Sequence, residues 1–558
     1  MNNPTITELL LKNEKENADR VYLRQPFQDV WTELTWSQVM NKARRVAQFL
    51  KDQGYKKGDK FSIYSKNCAE WFITDFGITL AGMVNVPLFG NQHPDSIKYI
   101  LEHAEVKMVF VGKLDDHVHA RANIPSQMKT AGFDYHADLT VDFSWDAMMK
   151  AEPVQEVVMP EANDMYTIIY TSGTSGNPKG AVYNHDRIAN YLEVVGRDVL
   201  TLTPVRYHHF VSYLPLAHVY ERTAVELTSL TVPCDVSFVE SLDKFADNLK
   251  EIQPTLFTAV PRIWGVFQQK IEHKLPPKKM NILLKIPLIS SLIKKKVKSQ
   301  LGFSRCENFV SGASQLPIAI MSFFDKLDIP IQEGYGQTEN LAYATINRLE
   351  NRRLGYVGSP RLEVELAMGD ENELLTKSNC LMNEYYKEPK KSKEQFDDRG
   401  YLRTGDIAEL DENNNVKIIG RISENFKNQK GEFIAPSPIE KEFSSNTLIE
   451  QLCLVGRGLP SNVMVVTLAQ NVHPRNKDKF AQYLKDTLHT VNSKLASYEK
   501  ISHVFVCKEN WTPENGFLTP TLKVRRPAVE SMHQSKLELA VAQHNQIVWE
   551  KDMEMAEA

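Results

Sequence analysis

The residues best suited to chemistry form one short run, Tyr170-Thr171-Ser172-Gly173-Thr174-Ser175-Gly176-Asn177-Pro178-Lys179-Gly180. It follows an apolar, strand-like stretch, Thr167 to Tyr170. Small residues let backbone N–H groups approach phosphate oxygens, the hydroxyls add donors, and Lys179 adds a positive charge. The P-loop pattern requires Lys to be preceded by Gly and followed by Ser or Thr, whereas Pro178 and Gly180 flank Lys179 here. Read alone, the run is either a phosphate cradle or a Ser/Gly-rich surface hairpin. Two further groups stand in unusual settings. Glu339 closes Gly334-Tyr335-Gly336-Gln337-Thr338-Glu339, and its hard carboxylate oxygens suit a cation such as Mg²⁺. Lys523 opens a basic run, Lys523 to Arg526, that by itself reads as a solvated face.

The run at 170–180 closely resembles the phosphate-binding loop of the AMP-forming, or adenylate-forming, superfamily that includes acyl-CoA synthetases. The resemblance extends along nearly the whole chain. Gly54 to Asp59 with Asn67, Glu70, Trp71 and Val86-Pro87-Leu88 looks like the family's N-terminal lobe. Tyr213-Leu214-Pro215-Leu216-Ala217-His218-Val219 matches its aromatic/His segment, and Tyr335 to Glu339 its Y-G-x-T-E motif. Tyr401 to Asp406 matches the T-G-D motif, and Gly420-Arg421 through Lys427, Gly431 and Glu432 the hinge segment. Thr519 to Arg526 resembles the C-terminal catalytic-lysine motif. Seven motifs in the family order are hard to reach by chance.

The resemblance implies a fold: α/β, with a large N-terminal domain of packed α/β lobes plus a β-rich subdomain, spanning residues 1–422. A small mobile α+β C-terminal domain, 423–558, would act as a lid. It also implies a reaction. A carboxylate attacks the α-phosphorus of ATP to give acyl-AMP and pyrophosphate, and the thiol of coenzyme A then displaces AMP. Thr171, Ser172, Gly173, Thr174, Ser175 and Gly176 would cradle phosphates, supported by Lys179. Gly334, Tyr335 and Gly336 would face adenine, with the ring of Tyr335 stacking on the base. Glu339 would hold Mg²⁺, and Thr338 would sit near the α-phosphate. Asp406 would accept from both ribose hydroxyls, with Arg421 and Lys427 assisting at the nucleotide. Lys523 would bridge carboxylate and α-phosphate, and His218 would lie near the substrate carbonyl.

Ala259-Val260-Pro261-Arg262-Ile263-Trp264 resembles the V-P-x-x-W segment of long-chain fatty-acid:CoA ligases, making Trp264 either a tunnel gate or a plain core residue. Ser311, Gly312 and Ala313 resemble the small-residue strand end beside the acyl chain. The leading expectation is therefore a long-chain fatty-acid:CoA ligase using ATP, Mg²⁺ and coenzyme A. One alternative is a fatty acyl-AMP ligase that loads an acyl carrier protein. Those proteins carry an insertion in the large domain, whereas Glu339 precedes Asp406 by only 67 positions with no obvious extra segment. A non-catalytic nucleotide- and lipid-binding scaffold is disfavoured, because Lys523, Glu339 and the loop are all present. Departures are Ser423 at the hinge, where Asp or Lys is common, and a stretch, Asn372 to Tyr386, without its usual glycines.

Elements must hold these groups together. Strand-like runs (Lys60 to Tyr64, Val106 to Val111, Tyr166 to Tyr170, Phe210 to Tyr213, Leu256 to Val260) alternate with helical patterns (Trp36 to Asp52, His185 to Arg197, Phe245 to Ile252), as in α/β folds. The most apolar stretch, Trp71 to Gly90, contains Asp75 and reads as a buried helix entering a core strand rather than a membrane span. The region Asp406 to Pro438 is rich in Asn, Gly and charge and reads as an inter-lobe linker. Residues 270–298 hold nine Lys and a single acid, Glu272, around an apolar core. They form either a solvated helical insertion or a patch for peripheral contact with an anionic membrane.

With 66 Lys+Arg against 70 Asp+Glu in 558 residues, there is no basic surplus of the kind that a nucleic-acid binder needs. Six scattered cysteines without a C-x-x-C pair give neither a disulfide framework nor a zinc signal. The N-terminal residues show no basic region followed by an apolar core, so no secretory signal is expected and the cytoplasm is the expected location, with residues 270–298 able to rest on the inner face of a membrane.

Overall fold

The computed structural model describes residues 3–171, 177–429, 431–444, 448–469 and 477–557, with side chains to residue 553. Its centre is an eight-stranded sheet in the order Glu384–Tyr385, Lys179–Asn184, Met165–Thr171, Val84–Asn85, Lys60–Tyr64, Val106–Val111, Lys129–Gly132 and Phe143–Ser144. The strands from Met165–Thr171 onward in that order are parallel, and the two at the other end are antiparallel. Parallel strands buried on both faces read as continuous apolar runs, which is why Val106–Val111 shows little alternation. A second sheet carries Leu256–Ala259, Asn308–Ser311 and Ile331–Tyr335 in parallel. A third is mixed, and a fourth, from Glu365 to Arg421, is wholly antiparallel. These are the two α/β lobes and the β-rich subdomain that the motifs imply.

The stretch from Trp71 to Gly90 becomes the buried helix Ala69–Leu80 followed by the strand Val84–Asn85. It packs closely on the helix Trp36–Asp52, for a Cβ added at Gly77 would lie 2.7 Å from Val46. No helix among the described residues is long and apolar enough to cross a membrane.

Beyond Arg421 the described residues form separate sheets, of which the largest holds Ile449–Val455, Asn462–Leu468, Ile501–Val506 and Ile547–Trp549. Successive side chains point to opposite faces of a strand. Met464 and Val466 thus enter one apolar cluster, while Val463 and Val465 enter another, so this part has a core on each face of its sheet. The linker reading of Asp406 to Pro438 needs correction. Its first half is a β-hairpin, Leu402–Leu410 with Val416–Arg421, whose Asn-rich tip is a turn. The connection itself is brief, a single helical turn at Ile422–Glu424 that contains Ser423. Turn residues mark hairpins as readily as linkers, and composition alone does not separate the two.

Candidate active site

The described ends of the run at 170–180 belong to two antiparallel strands, Met165–Thr171 and Lys179–Asn184. Thr171 lies opposite Lys179, and the Thr171 hydroxyl donates to the Lys179 carbonyl at 3.4 Å. Ser172, Gly173, Thr174, Ser175 and Gly176 lie outside the described residues. Beside these strands, Glu384–Tyr385 adds an edge strand. The Lys179 ammonium sits 4.9 Å from the Tyr385 ring centre, and the Tyr385 hydroxyl donates to Glu339 Oε1 at 2.7 Å. Tyr385 therefore joins the loop's lysine to the Y-G-x-T-E acid. It belongs to the stretch whose missing glycines were the only sequence signal there.

The Y-G-x-T-E segment leaves the strand Ile331–Tyr335 in a tight turn. Gly336 is required by close approach, since a Cβ there would lie 2.4 Å from the Ala342 backbone. Gly334 has no such constraint. Leu341 and Ala342 are both left-handed (φ 54° and 53°), a conformation that costs non-glycine residues energy and persists where the surroundings over-determine it. The Thr338 carbonyl accepts from the Tyr183 hydroxyl.

Asp406 is buried and heavily engaged. Oδ1 accepts from Arg421 Nε at 2.7 Å, and Oδ2 accepts from the Tyr335 hydroxyl at 2.6 Å and from Gln337 Nε2 at 2.7 Å. Its charge in turn holds the Arg421 pKa above the usual guanidinium range. A carboxylate offers about four acceptor positions, and three are filled. Acceptance from two ribose hydroxyls thus requires one of these donors to give way. Gln337, the unspecified position of the motif, was not legible as a site residue. It also donates to the Thr404 carbonyl at 2.8 Å.

Lys523 reaches this cluster from the C-terminal part. A turn presents it: Leu522 is left-handed (φ 61°), Thr519 N–H donates to the Lys523 carbonyl at 2.8 Å, and Lys523 N–H donates to Thr519 Oγ1 at 3.1 Å. Asn91 Nδ2 donates to the Pro520 carbonyl at 3.1 Å, and Arg262 pairs with Glu450 at 2.6 Å, so this part is docked on the large one. The lysine side chain is exposed, yet the protein around it partly desolvates its ammonium. That desolvation, with Arg421 as the second cause, lowers its pKa, while Asp406, Glu424 and Glu339 oppose the shift. Lys427 differs: it is exposed, with its ammonium 4.8 Å from the Phe433 ring centre, and touches none of these groups.

His218 caps the helical turn that follows it. Its Nδ1 accepts from Tyr220 N–H at 3.2 Å, which assigns the ring proton to Nε2. Burial first, and the Lys523 charge second, push its pKa down to about 3, so the ring is neutral at physiological pH. Three residues on, fully buried Glu221 ties the loop together. Its Oε1 accepts from Ser212 Oγ (2.8 Å), Tyr213 N–H (2.9 Å) and Asn67 Nδ2 (3.2 Å). Burial raises its pKa to about 8. A carboxyl whose folded pKa exceeds the unfolded value of 4.5 makes the protein less stable as pH rises between the two. Replacing Glu221 with Gln keeps the carbonyl acceptor and removes the titration. The thermal midpoint of Glu221→Gln should therefore fall less than that of the parent between pH 5 and pH 8. Parallel pH curves would contradict this role.

The acyl-side residues divide. The strand Asn308–Ser311 ends at Gly312, where a Cβ would lie 2.9 Å from the Tyr220 ring, and Ala313 is left-handed (φ 67°). Trp264 is fully buried among Phe257, Phe267, Phe303, Phe309 and Phe324, with ring-centre distances of 5.2–6.3 Å. In this structure it sits in the core, enclosed by five aromatic rings. Trp264→Phe should lower the unfolding free energy by about 1–3 kcal/mol while leaving acyl preference unchanged. A changed preference at unchanged stability would reverse this assignment.

Sequence comparison agrees with the geometry. A profile described as "AMP-binding enzyme" matches residues 11–386, and one described as "AMP-binding enzyme C-terminal domain" matches residues 427–545. Fatty acyl-CoA synthetase A of Dictyostelium discoideum is 26% identical, over 92% of this chain and 86% of its own. Human long-chain-fatty-acid–CoA ligase 1 is 28% identical, over 90% of this chain and 82% of its own. Among solved structures, the adenylation domain of a carboxylate reductase from Mycobacterium chelonae superimposes with a TM-score of 0.82 at 22% identity, covering 97% of this chain and 92% of that one. The two profiles lie on either side of the turn at Ile422–Glu424, in the order in which the site is assembled from its two parts. The chain belongs to the family of AMP-binding enzymes.

Proposed function

We propose that the chain activates a long-chain fatty acid as acyl-AMP, using ATP, and transfers the acyl group to coenzyme A. The observation that carries this reading is that Lys523, from the C-terminal part, shares one electrostatic neighbourhood with Arg421, Asp406 and Glu339 of the large part, beside the docking contacts Asn91–Pro520 and Arg262–Glu450. The first step joins two anions, so aimed cations matter more than a base. Lys523 would offset charge on the carboxylate and the α-phosphate together. The Tyr335 ring face would take adenine, its hydroxyl being committed to Asp406. Thr171 and the loop that follows it would hold the outer phosphates, with Lys179 adding charge, and Thr338 would approach the α-phosphate. The carboxylate of Glu339 has the hard oxygens that Mg²⁺ takes, and the Tyr385 hydroxyl aims it. When bound, the cation would neutralise charge on the triphosphate.

In the second step the thiol of coenzyme A loses its proton to solvent, its sulfur bonds to the acyl carbonyl carbon, the acyl–phosphate C–O bond breaks, and AMP departs as the anion. Neutral His218 keeps an N–H near the carbonyl without adding charge. The thiol must reach a carbonyl that Lys523 faces in the first step. Rotation of the C-terminal part about the turn at Ile422–Glu424 would clear that path. Long-chain preference is supported by the fatty-acid ligases among the relatives. The test is thioester formation with ATP and coenzyme A across carboxylic acids from acetate to oleate. Preference for oleate over acetate is expected. Pyrophosphate release that is strong without coenzyme A, and yields no thioester with it, would overturn the reading.

A further inference from the structure

Residues 277–300 form two helices, Pro277–Leu283 and Pro287–Gln300, fixed on one side by Met280 in the core of the second lobe. The other side is unusual. Leu288 is 82% exposed, Leu292 68% and Ile282 65%, with Ile286 and Ile289 exposed nearby. Single exposed apolar residues are ordinary, whereas a contiguous cluster marks an interaction surface. Leu288 and Leu292 lie one turn apart, and Lys295 continues the same face.

Beside this apolar tip runs a groove of about 550 Å³ lined by Lys285, Lys294, Lys295 and Lys298, with Ser290 and Ser291 among its hydroxyls. Its one acid, Asp328, is already paired with Lys294 at 2.9 Å. No ion pair among the described residues engages Lys285, Lys295 or Lys298. The groove therefore offers uncompensated ammonium groups and hydroxyl donors, the chemistry that receives a phosphate diester.

We propose that this face docks on an anionic phospholipid bilayer, with a headgroup phosphate in the lysine groove and Leu288, Leu292 and Ile282 inserted at the headgroup–acyl boundary. A second copy of the chain fits poorly, because a two-fold contact would set the same cations against each other. A soluble phosphate compound would leave the apolar tip in water. The inference is independent of which carboxylate the enzyme activates.

The full-length protein should sediment with vesicles of three parts phosphatidylcholine to one part phosphatidylglycerol, and not with pure phosphatidylcholine. Lys295→Gln with Lys298→Gln should weaken binding by about 30-fold, roughly fivefold per lysine near the surface, and high salt should act in the same direction. Leu288→Ser with Leu292→Ser should weaken it by at least about tenfold. Both pairs are exposed or lie at the groove, so thermal midpoints and turnover of a soluble short-chain acid should match the parent. Equal binding to neutral vesicles would overturn the proposal. So would competition by glycerol phosphate together with no effect of the leucine variants, which identifies a soluble ligand. So would an oligomer in gel filtration that the leucine variants dissolve, which identifies a second copy.

Discussion

Replacing Lys523 with Ala should lower the rate of acyl-AMP formation by about 100- to 1,000-fold, the range seen when one aimed donor is removed from a developing anion. Thioester formation from supplied acyl-AMP should stay within about threefold of the parent, since any interaction made only in the first transition state is lost only there. The substitution is unusually clean. The turn that presents the lysine is held by Thr519 and by backbone hydrogen bonds, and the Asn91 contact goes to a backbone carbonyl. None of these depends on the lysine side chain, so docking should survive. Partial desolvation raises the value of the lysine charge and lowers its pKa together. The alkaline limb of the adenylation rate should thus begin below the ordinary lysine value of 10.5. Lys427→Ala, whose side chain lies apart from that cluster, is the matched control. Separate pyrophosphate-release and thioester assays check the pair of rates. Equal loss in both half-reactions would remove Lys523 from its assigned step.

The parts of this site that were legible in the sequence are those that touch small, repeated chemical groups. Gly336 has to be glycine because the Ala342 backbone lies against it, and Asp406 has to be acidic because Arg421, Tyr335 and Gln337 all donate to it. Such residues stand in short motifs: the constraint on Gly336 is close at hand in the chain, and Asp406, whose donors Tyr335 and Gln337 lie 71 and 69 positions away, is marked by the residues beside it. The parts that were missed act across the chain. Tyr385 reaches Glu339 from 46 positions away, and nothing local to Tyr385 announces it. Trp264 sits in a motif that leaves gate and core equally open. The choice falls to Phe303, Phe309 and Phe324, which come from later elements. The fold was legible for the same reason in reverse. Period and length identify a strand such as Lys60–Tyr64 without reference to its partners, whereas the hairpin tip within Asp406 to Pro438 shares its composition with a linker.

Arg222 is the extreme case of a partner set spread through the chain, and Arg222→Met should cost about 3–5 kcal/mol of unfolding free energy, the usual penalty for stranding a buried charge. Its guanidinium is fully buried. It donates to Asp75 at 2.8 Å, to the Tyr166 hydroxyl at 2.9 Å and to Thr167 Oγ1 at 2.6 Å, and lies 3.3 Å from Glu226. The Tyr166 hydroxyl and Asn85 Nδ2 donate to Asp75, so its carboxylate is satisfied only as part of the set. Burial, with Asp75 as the second cause, raises the pKa of Glu226 well above the carboxylate range. Met fills much of the arginine volume without its donors, so the buried Asp75 carboxyl would lose its guanidinium partner. Adding Asp75→Asn to Arg222→Met removes the stranded carboxyl and should recover a substantial part of the loss, a non-additivity that a double-mutant cycle reads directly. The consequences reach the site. Tyr166 and Thr167 belong to the strand that leads to Thr171, and Arg222 follows the helical turn capped by His218. The network therefore fixes the strand Met165–Thr171 against the His218 segment, and the single variant, assayed below its unfolding temperature, should also adenylate more slowly. Urea unfolding of the parent, both single variants and the double variant measures the coupling. A stable Arg222→Met protein, or strict additivity in the cycle, would show that the buried charges do not act as one unit.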